Sequence, residues 1–256
     1  MKLIISHTNA AEEALVNTDG RVVLEYEQSY QHGDAIEIQF EPDEIPAYYW
    51  VQLDSAMLLA KLYFTQPVWR YVIPFGEQRL VYPETSFAGE KHLVQVWQSD
   101  IPYQQTNLAF NPYDQVEPMG AFPHAEANIE TRHDPTFAAK NAIDGYILNA
   151  HHGEYPYQSW GINRDPEAQI HLSFGRPITL KRIAIVLRAD FPHDSVWTSG
   201  LITFDDGTSM TLSFDKTADR QWFETNKSDV TGFSLDHLVK ADDESPFPAL
   251  TEIEAY

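Results

Sequence analysis

"AQIHLSFGRPITLKRIAIVLR" (168–188) carries the clearest structural signal in the chain. Ile170, Leu172 and Phe174 alternate with His171 and Ser173, the period-two pattern of a strand with one buried face. After Gly175, Arg176 and Pro177, "ITLKRIAIVLR" (178–188) resumes as a run rich in β-branched residues and predicts a second strand. Such strands need partners, and the flanking sequence supplies them. "GLITFDDGTSMTLSF" (200–214) reads as a hairpin, because Asp206 and Gly207 form a two-residue turn signal between two strand-like runs. "GFSLDHLV" (232–239) and "ALTEIEAY" (249–256) add two more strands, the last with imperfect alternation. "DPTFAAKNAIDG" (134–145) differs: Asp134 can cap, Pro135 suits the first position, and Gly145 can stop the element. Phe137, Ala138, Asn141 and Ala142 fall at helical spacing, so one short helix is expected there.

The first half has the same texture. "RVVLEY" (21–26) follows the turn pair Asp19 and Gly20, and "AIEIQF" (35–40) sets Ile36, Ile38 and Phe40 on one face against Glu37 and Gln39. "YYWVQL" (48–53), "KLYF" (61–64), "WRYVI" (69–73) and "HLVQVWQ" (92–98) follow, and their aromatics are expected in the core. Many short strands, punctuated by turn residues and almost without helix, predict an all-β fold of two β-sandwich domains. "NLAFNPYDQVEPMGAFPH" (107–124) holds three prolines and no lasting periodicity. It places the junction near Gly120, between an N-terminal sandwich (1–120) of unassigned role and a second sandwich (121–256). Phe110, Tyr113 and Phe122 suit a packed junction.

Composition limits the partners. The 256 residues carry a formal net charge of -21, which repels phosphate backbones and anionic lipid heads. Nucleic acid and membrane are therefore not expected as partners, whereas sugars and calcium are compatible. The absence of cysteine excludes disulfides, thiolate zinc sites and cysteine nucleophiles. The apolar start, Leu3 to Ile5, is shorter than a secretory core, and no apolar run reaches the roughly 18 residues of a membrane span, so a soluble cytoplasmic protein is expected. No G-x-S-x-G, P-loop, HExxH or dinucleotide fingerprint occurs, which favours binding over catalysis.

From about residue 125 to the end, the order of motifs resembles the galactose-binding-domain-like group, the discoidin or coagulation-factor C-type family that includes many carbohydrate-binding modules. "AEANIET", "FAAKNAIDG", "YQSWG", "IHLSFGRPITLKRIAIVLR", "LITFDDGTSMTL" and "ALTEIEAY" appear in the family's sequence. The resemblance implies a jelly-roll sandwich with ligands held in loops at one end and a structural calcium near the "DG" turn. Carried over residue by residue, the calcium ligands would be Asp144 and Glu252, with Asn149 as the side-chain oxygen that follows the turn. Where the family often adds a carboxylate and a hydroxyl, this chain has "YILNAHH".

Sugars are held by an aromatic ring against their C–H face and by forked polar groups on adjacent hydroxyls. Two loops offer that mixture. "HHGEYPYQSWGINRD" (151–165) contributes His152, Glu154 and Tyr157; "RADFPHDSVWTSG" (188–200) contributes Arg188, Asp190, His193 and Trp197, with Trp197 expected to be exposed. Trp160 is expected to be structural. The adjacent histidines His151 and His152 lack the spacing of a metal pair and read as a polar loop, with His193 or Glu154 as further ligands in the alternative metal reading. In "KADDESPFPAL" (240–250), Phe247 between two prolines is expected in the core, with a lid as the alternative, and Asp242, Asp243 and Glu244 on a solvated face. The expected function is non-catalytic carbohydrate binding. The alternatives are a protein-interaction or scaffold module, including a homo-oligomer, and a carbohydrate-active enzyme.

Overall fold

The computed structural model describes residues 1–7, 11–15 (backbone only), 21–99, 106–116 and 120–256. The expected turn at Asp19 and Gly20 lies outside the described residues. The chain divides into two compact units: Met1–Tyr103 with Glu117–Phe122, and Gln104–Val116 with Pro123–Tyr256. Both are built from antiparallel strands and short 3₁₀ turns, and no helix among the described residues is long and apolar enough to cross a membrane.

In the first unit the strands are β1 (Lys2–Ser6), β2 (Ala11–Leu15), β3 (Arg21–Tyr26), β4 (Ala35–Gln39), β5 (Ala47–Gln52), β6 (Ala60–Phe64), β7 (Val68–Val72), β8 (His92–Gln98) and β9 (Ala121–Phe122). They form two sheets, in the orders β2-β1-β4-β7 and β3-β8-β5-β6-β9. Alternation explains how the sheets pack. Val22, Val96, Val51 and Ala60 stand in register across four strands and are fully buried, opposite Leu3, Ile5, Ile36 and Ile38 of the other sheet. Phe64 of one sheet and Trp69 of the other meet edge to face at 5.3 Å. The same period turns the next row outward. Arg21, Trp97, Trp50 and Lys61 line up on the opposite face, with the Arg21 guanidinium 4.0 Å from the Trp97 ring. The expectation that the aromatics of 48–53 are core therefore holds for Tyr49 and fails for Tyr48 and Trp50, which are only half-buried. Consecutive strand residues cannot share a face.

The second unit contains β10 (His124–Ala127), β11 (Trp160–Gly161), β12 (Ile170–Leu187), β13 (Trp197–Phe204), β14 (Ser209–Ser213), β15 (Gln221–Lys240) and β16 (Ala249–Ala255). Their order is β11-β16-β12-β15-β13-β14, with β10 beside β12. In a flat sheet β11 and β13 would lie four strand spacings apart, about 19 Å. Yet the Trp160 and Trp197 ring centroids are 6.3 Å apart. The sheet therefore closes over a core as a sandwich. The two long strands make this possible. β12 runs unbroken through Gly175 and Pro177, where two strands were expected, and its pairing with β15 shifts register between Ser173 and Arg182. Such irregularities bend a strand from one layer toward the other.

The expected helix at 134–145 is instead two 3₁₀ turns, Pro135–Phe137 and Ala139–Ala142, interrupted by extended Ala138. Asp134 does cap, accepting the Thr136 N–H at 3.0 Å. Gly145 ends the segment at φ +83°, and a Cβ there would lie 2.5 Å from the Phe110 ring. Residues 106–116, read from the sequence as part of the junction, pack with this second unit. The Leu108 N–H donates to the Ala255 carbonyl at 2.7 Å and the Asn111 N–H to the Ile143 carbonyl at 2.8 Å.

Candidate functional site

A cleft of about 610 Å³ opens beside the end of β12 and the start of β16. That size suits a small ligand. One wall is the loop that follows Leu187. Arg188 is buried there, and its Nε and Nη2 donate to the two carboxylate oxygens of Asp194, also buried. Nη2 also donates to the Phe247 carbonyl at 3.1 Å, which fixes the neighbouring loop. The Ser245 hydroxyl donates to the His193 carbonyl at 2.6 Å and tightens the same junction. Arg188 leaves Nη1 without a hydrogen bond among the described residues.

Asp190 organises two exposed histidines. His152 Nδ1 lies 2.7 Å from one carboxylate oxygen and His193 Nδ1 lies 3.7 Å from the other. Burial works to raise the Asp190 carboxyl, but the His152 and His193 contacts together outweigh it and hold it below the usual carboxylate range. His152, Asp190 and Asp194 bring one potential ligand atom each within 4.8 Å of one another, so this corner also has the donors of a metal site. The partner of His152 is thus a carboxylate from another loop, Asp190. His151 instead meets the edge of the Tyr157 ring at 5.0 Å.

The opposite wall was read only in part from the sequence: Arg164 falls in the expected ligand loop 151–165, but neither it nor Arg132 was singled out. It holds Arg132 and Arg164, both at positive φ. The Arg164 guanidinium lies 4.4 Å from the centroid of the Phe247 ring. The two arginine-bearing segments are fastened together by the Asn163 N–H, which donates to Thr131 Oγ1 at 2.9 Å. Gly161 permits this approach, since a Cβ there would sit 2.7 Å from the same hydroxyl.

The expected site residues therefore separate into two groups. Arg188, His152 and His193 line the cleft, and Asp190 supports the two histidines. Glu154 and Tyr157 lie outside the lining. Trp197 is a correction: it was expected to be exposed and is fully buried, because it opens β13 and packs on Trp160. Trp160 is buried as expected and donates its indole N–H to the Ile129 carbonyl at 3.0 Å. Phe247 is the opposite correction for the core reading: the residue is 42% exposed and lines the cleft, nearer to the lid alternative. Asp242, Asp243 and Glu244 are exposed as expected, and Asp243 is engaged by Lys240 and Ser195, both at 2.9 Å. The flanking prolines and the Asn163–Arg164 pair after Gly161 were the available signals for this wall, but neither identifies a partner loop.

A second polar centre lies under the "DG" turn. Glu252 is buried on β16, and both its oxygens accept the Gly145 N–H at 3.2 Å. Asp144 accepts the Tyr146 N–H at 2.9 Å and the Gln158 side-chain amide at 2.8 Å. Burial pushes the Asp144 carboxyl up to about 7. Burial, and then the adjacent Asp144 charge, raise Glu252 well above its usual value. Gln158 Oε1 is buried without a hydrogen-bond partner among the described residues. Asn149 serves as a brace, its amide donating to the Leu187 and Ala218 carbonyls at 2.7 and 3.0 Å.

No protein-family model and no curated protein sequence matches the chain. Among solved structures it is similar to chitosan-binding module 1 of a chitosanase/glucanase from Paenibacillus sp. IK-5. That match has 18% identity and a TM-score of 0.40, covering 59% of this chain and 99% of that one. It is also similar to a Streptococcus pneumoniae fucose-binding module, with 12% identity and a TM-score of 0.43 over 59% of this chain and 98% of that one. A third similar structure is the family 32 carbohydrate-binding module of NanJ from C. perfringens, in complex with galactose. It has 15% identity and a TM-score of 0.38, covering 51% of this chain and 90% of that one.

Proposed function

We propose that this is a carbohydrate-binding protein whose second unit holds a sugar in the cleft beside β12 and β16. The observation that carries the reading is the pairing of an exposed ring with fixed polar forks. Phe247 offers an apolar face, and His152 and His193, aligned by Asp190, offer donors and acceptors for adjacent hydroxyls. Arg188 contributes from a buried, preorganised position, which limits the side-chain entropy lost on binding. The carboxylates favour binding over hydrolysis. A glycosidase needs one carboxyl held protonated opposite a second. Here Asp194 is engaged by the Arg188 fork, and Asp190 is held below the usual carboxylate range.

A glycan array followed by titration calorimetry tests the reading. Phe247→Ala and His152→Ala, both at exposed side chains, should each weaken the best ligand by about tenfold or more. An empty array, or unchanged affinity in both variants, would remove it.

Calcium at Asp144 and Glu252 belongs to the same proposal. The buried donors are all hard oxygens, the two carboxylates stand together, and Gln158 Oε1 is unused. This set fits calcium, which would supply the charge that the carboxylate pair lacks. Its role would be to stiffen the "DG" turn against β16.

A further inference from the structure

The lining of the cleft is richer in cationic side chains than the chain as a whole. The protein carries a net charge of -21. Yet three arginines (Arg132, Arg164 and Arg188) and two histidines line the cleft, against one carboxylate, Asp194. Asp194 is neutralised by Arg188 within the wall. That leaves Arg164 without an ion pair among the described residues, and Arg132 with a single long one. Arg132 is held only loosely, 3.9 Å from Asp134, with a side chain 73% exposed. Arg164 rests over the Phe247 ring, a contact that orients the guanidinium plane without neutralising it.

Their placement is built into the backbone. Arg132 and Arg164 adopt φ of 56° and 63°, and each has a left-handed neighbour, His133 and Asn163. This conformation is costly for residues with a side chain and persists where surrounding contacts fix it. Here the Thr131–Asn163 hydrogen bond and the close approach of Gly161 fix it on both segments. Two strained segments, pinned to each other, thus carry one arginine each to the same cleft.

We propose that the cleft selects an acidic sugar, one bearing a carboxylate, and that Arg164 and Arg132 are the residues that read the acid. This inference rests on the sugar-binding reading and specifies its ligand class. The sugar ring would lie along Phe247 and the His152–Asp190–His193 edge, with its carboxylate toward the arginine-bearing wall. A guanidinium fork matches a carboxylate with two parallel hydrogen bonds, which a neutral hydroxymethyl group cannot reproduce.

Matched pairs separate this inference from the reading beneath it. The methyl glycosides of glucose and glucuronic acid, and of galactose and galacturonic acid, are titrated into the whole protein. At least one acid should bind about tenfold or more tightly than its neutral partner, the factor expected of one charge-assisted hydrogen bond. Arg164→Gln and Arg132→Gln should lower that acid-to-neutral ratio, each by several-fold. Neutral and acidic partners binding within twofold of each other, or ratios unchanged in both variants, would overturn the acid selection and leave the sugar site standing. No binding by any sugar, on the array or in these pairs, would overturn both.

Discussion

Arg188 and Asp194 have no water to fall back on. Both are buried, and each is the other's ion-pair partner. Removing one partner leaves an uncompensated buried ion, whereas replacing both with apolar residues removes the problem with the charge. Asp194→Ala should therefore cost about 3–5 kcal/mol of unfolding free energy. The double variant Arg188→Met/Asp194→Leu should regain most of that loss while binding no sugar. Chemical denaturation of the two variants checks this, and equal destabilisation would show that the loop depends on the ion pair itself. Trp197 shows the same separation of stability from binding. It looked like a ligand platform because Ser and Thr surround it, but its ring completes the core against Trp160.

At the scale of elements, β16 and the "DG" turn face each other through Glu252 and Asp144, and their protonation couples the turn to the sheet. In the metal-free protein both carboxyls are raised above their ordinary values, Asp144 from 3.8 to about 7. The folded state then holds more protons than the unfolded one between those limits, so stability falls as pH rises through this window. The contribution is complete below 3.8 and lost above about 7. Thermal melts in chelator should show a decline from pH 5 to pH 8 that is shallower in Asp144→Asn. Calcium at about a hundredfold excess over its dissociation constant should raise the melting temperature at pH 8 by about 5–10 °C. Superimposable curves with calcium and with chelator would exclude the ion. Alternation alone announces the strand at 35–40, whereas in 92–98 the pattern is blurred, because His92 is buried and Leu93 exposed. Where a strand passes between layers the pattern breaks, and Gly175 with Pro177 mimicked a boundary inside β12. The 134–145 segment had helical spacing, yet extended Ala138 divides it into two turns, which spacing cannot reveal.

Across the whole molecule, part of the site was legible because single loops concentrate its chemistry: Arg188, Asp190 and His193 share one loop, and His152 lies in another. The meeting of Arg132, Arg164 and Phe247 was not, because it depends on three separate loops converging, although Phe247 had been read as an alternative lid and Arg164 lay in an expected ligand loop. Net charge was likewise informative about the surface as a whole and misleading about one place on it. The difference has a measurable consequence for ligand size. A monosaccharide acid meets mainly the local cations, so added salt should weaken it. A long acidic polymer must also approach the negative surface around the cleft, where repulsion reaches about 30 Å at 0.01 M salt and about 8 Å at 0.15 M. Its affinity should therefore rise as salt increases across that range, then fall once the local contacts are screened. Titrating galacturonic acid and polygalacturonate in parallel at several salt concentrations checks this. If both weaken monotonically from the lowest salt, the global charge does not control approach, and the cleft field alone governs binding.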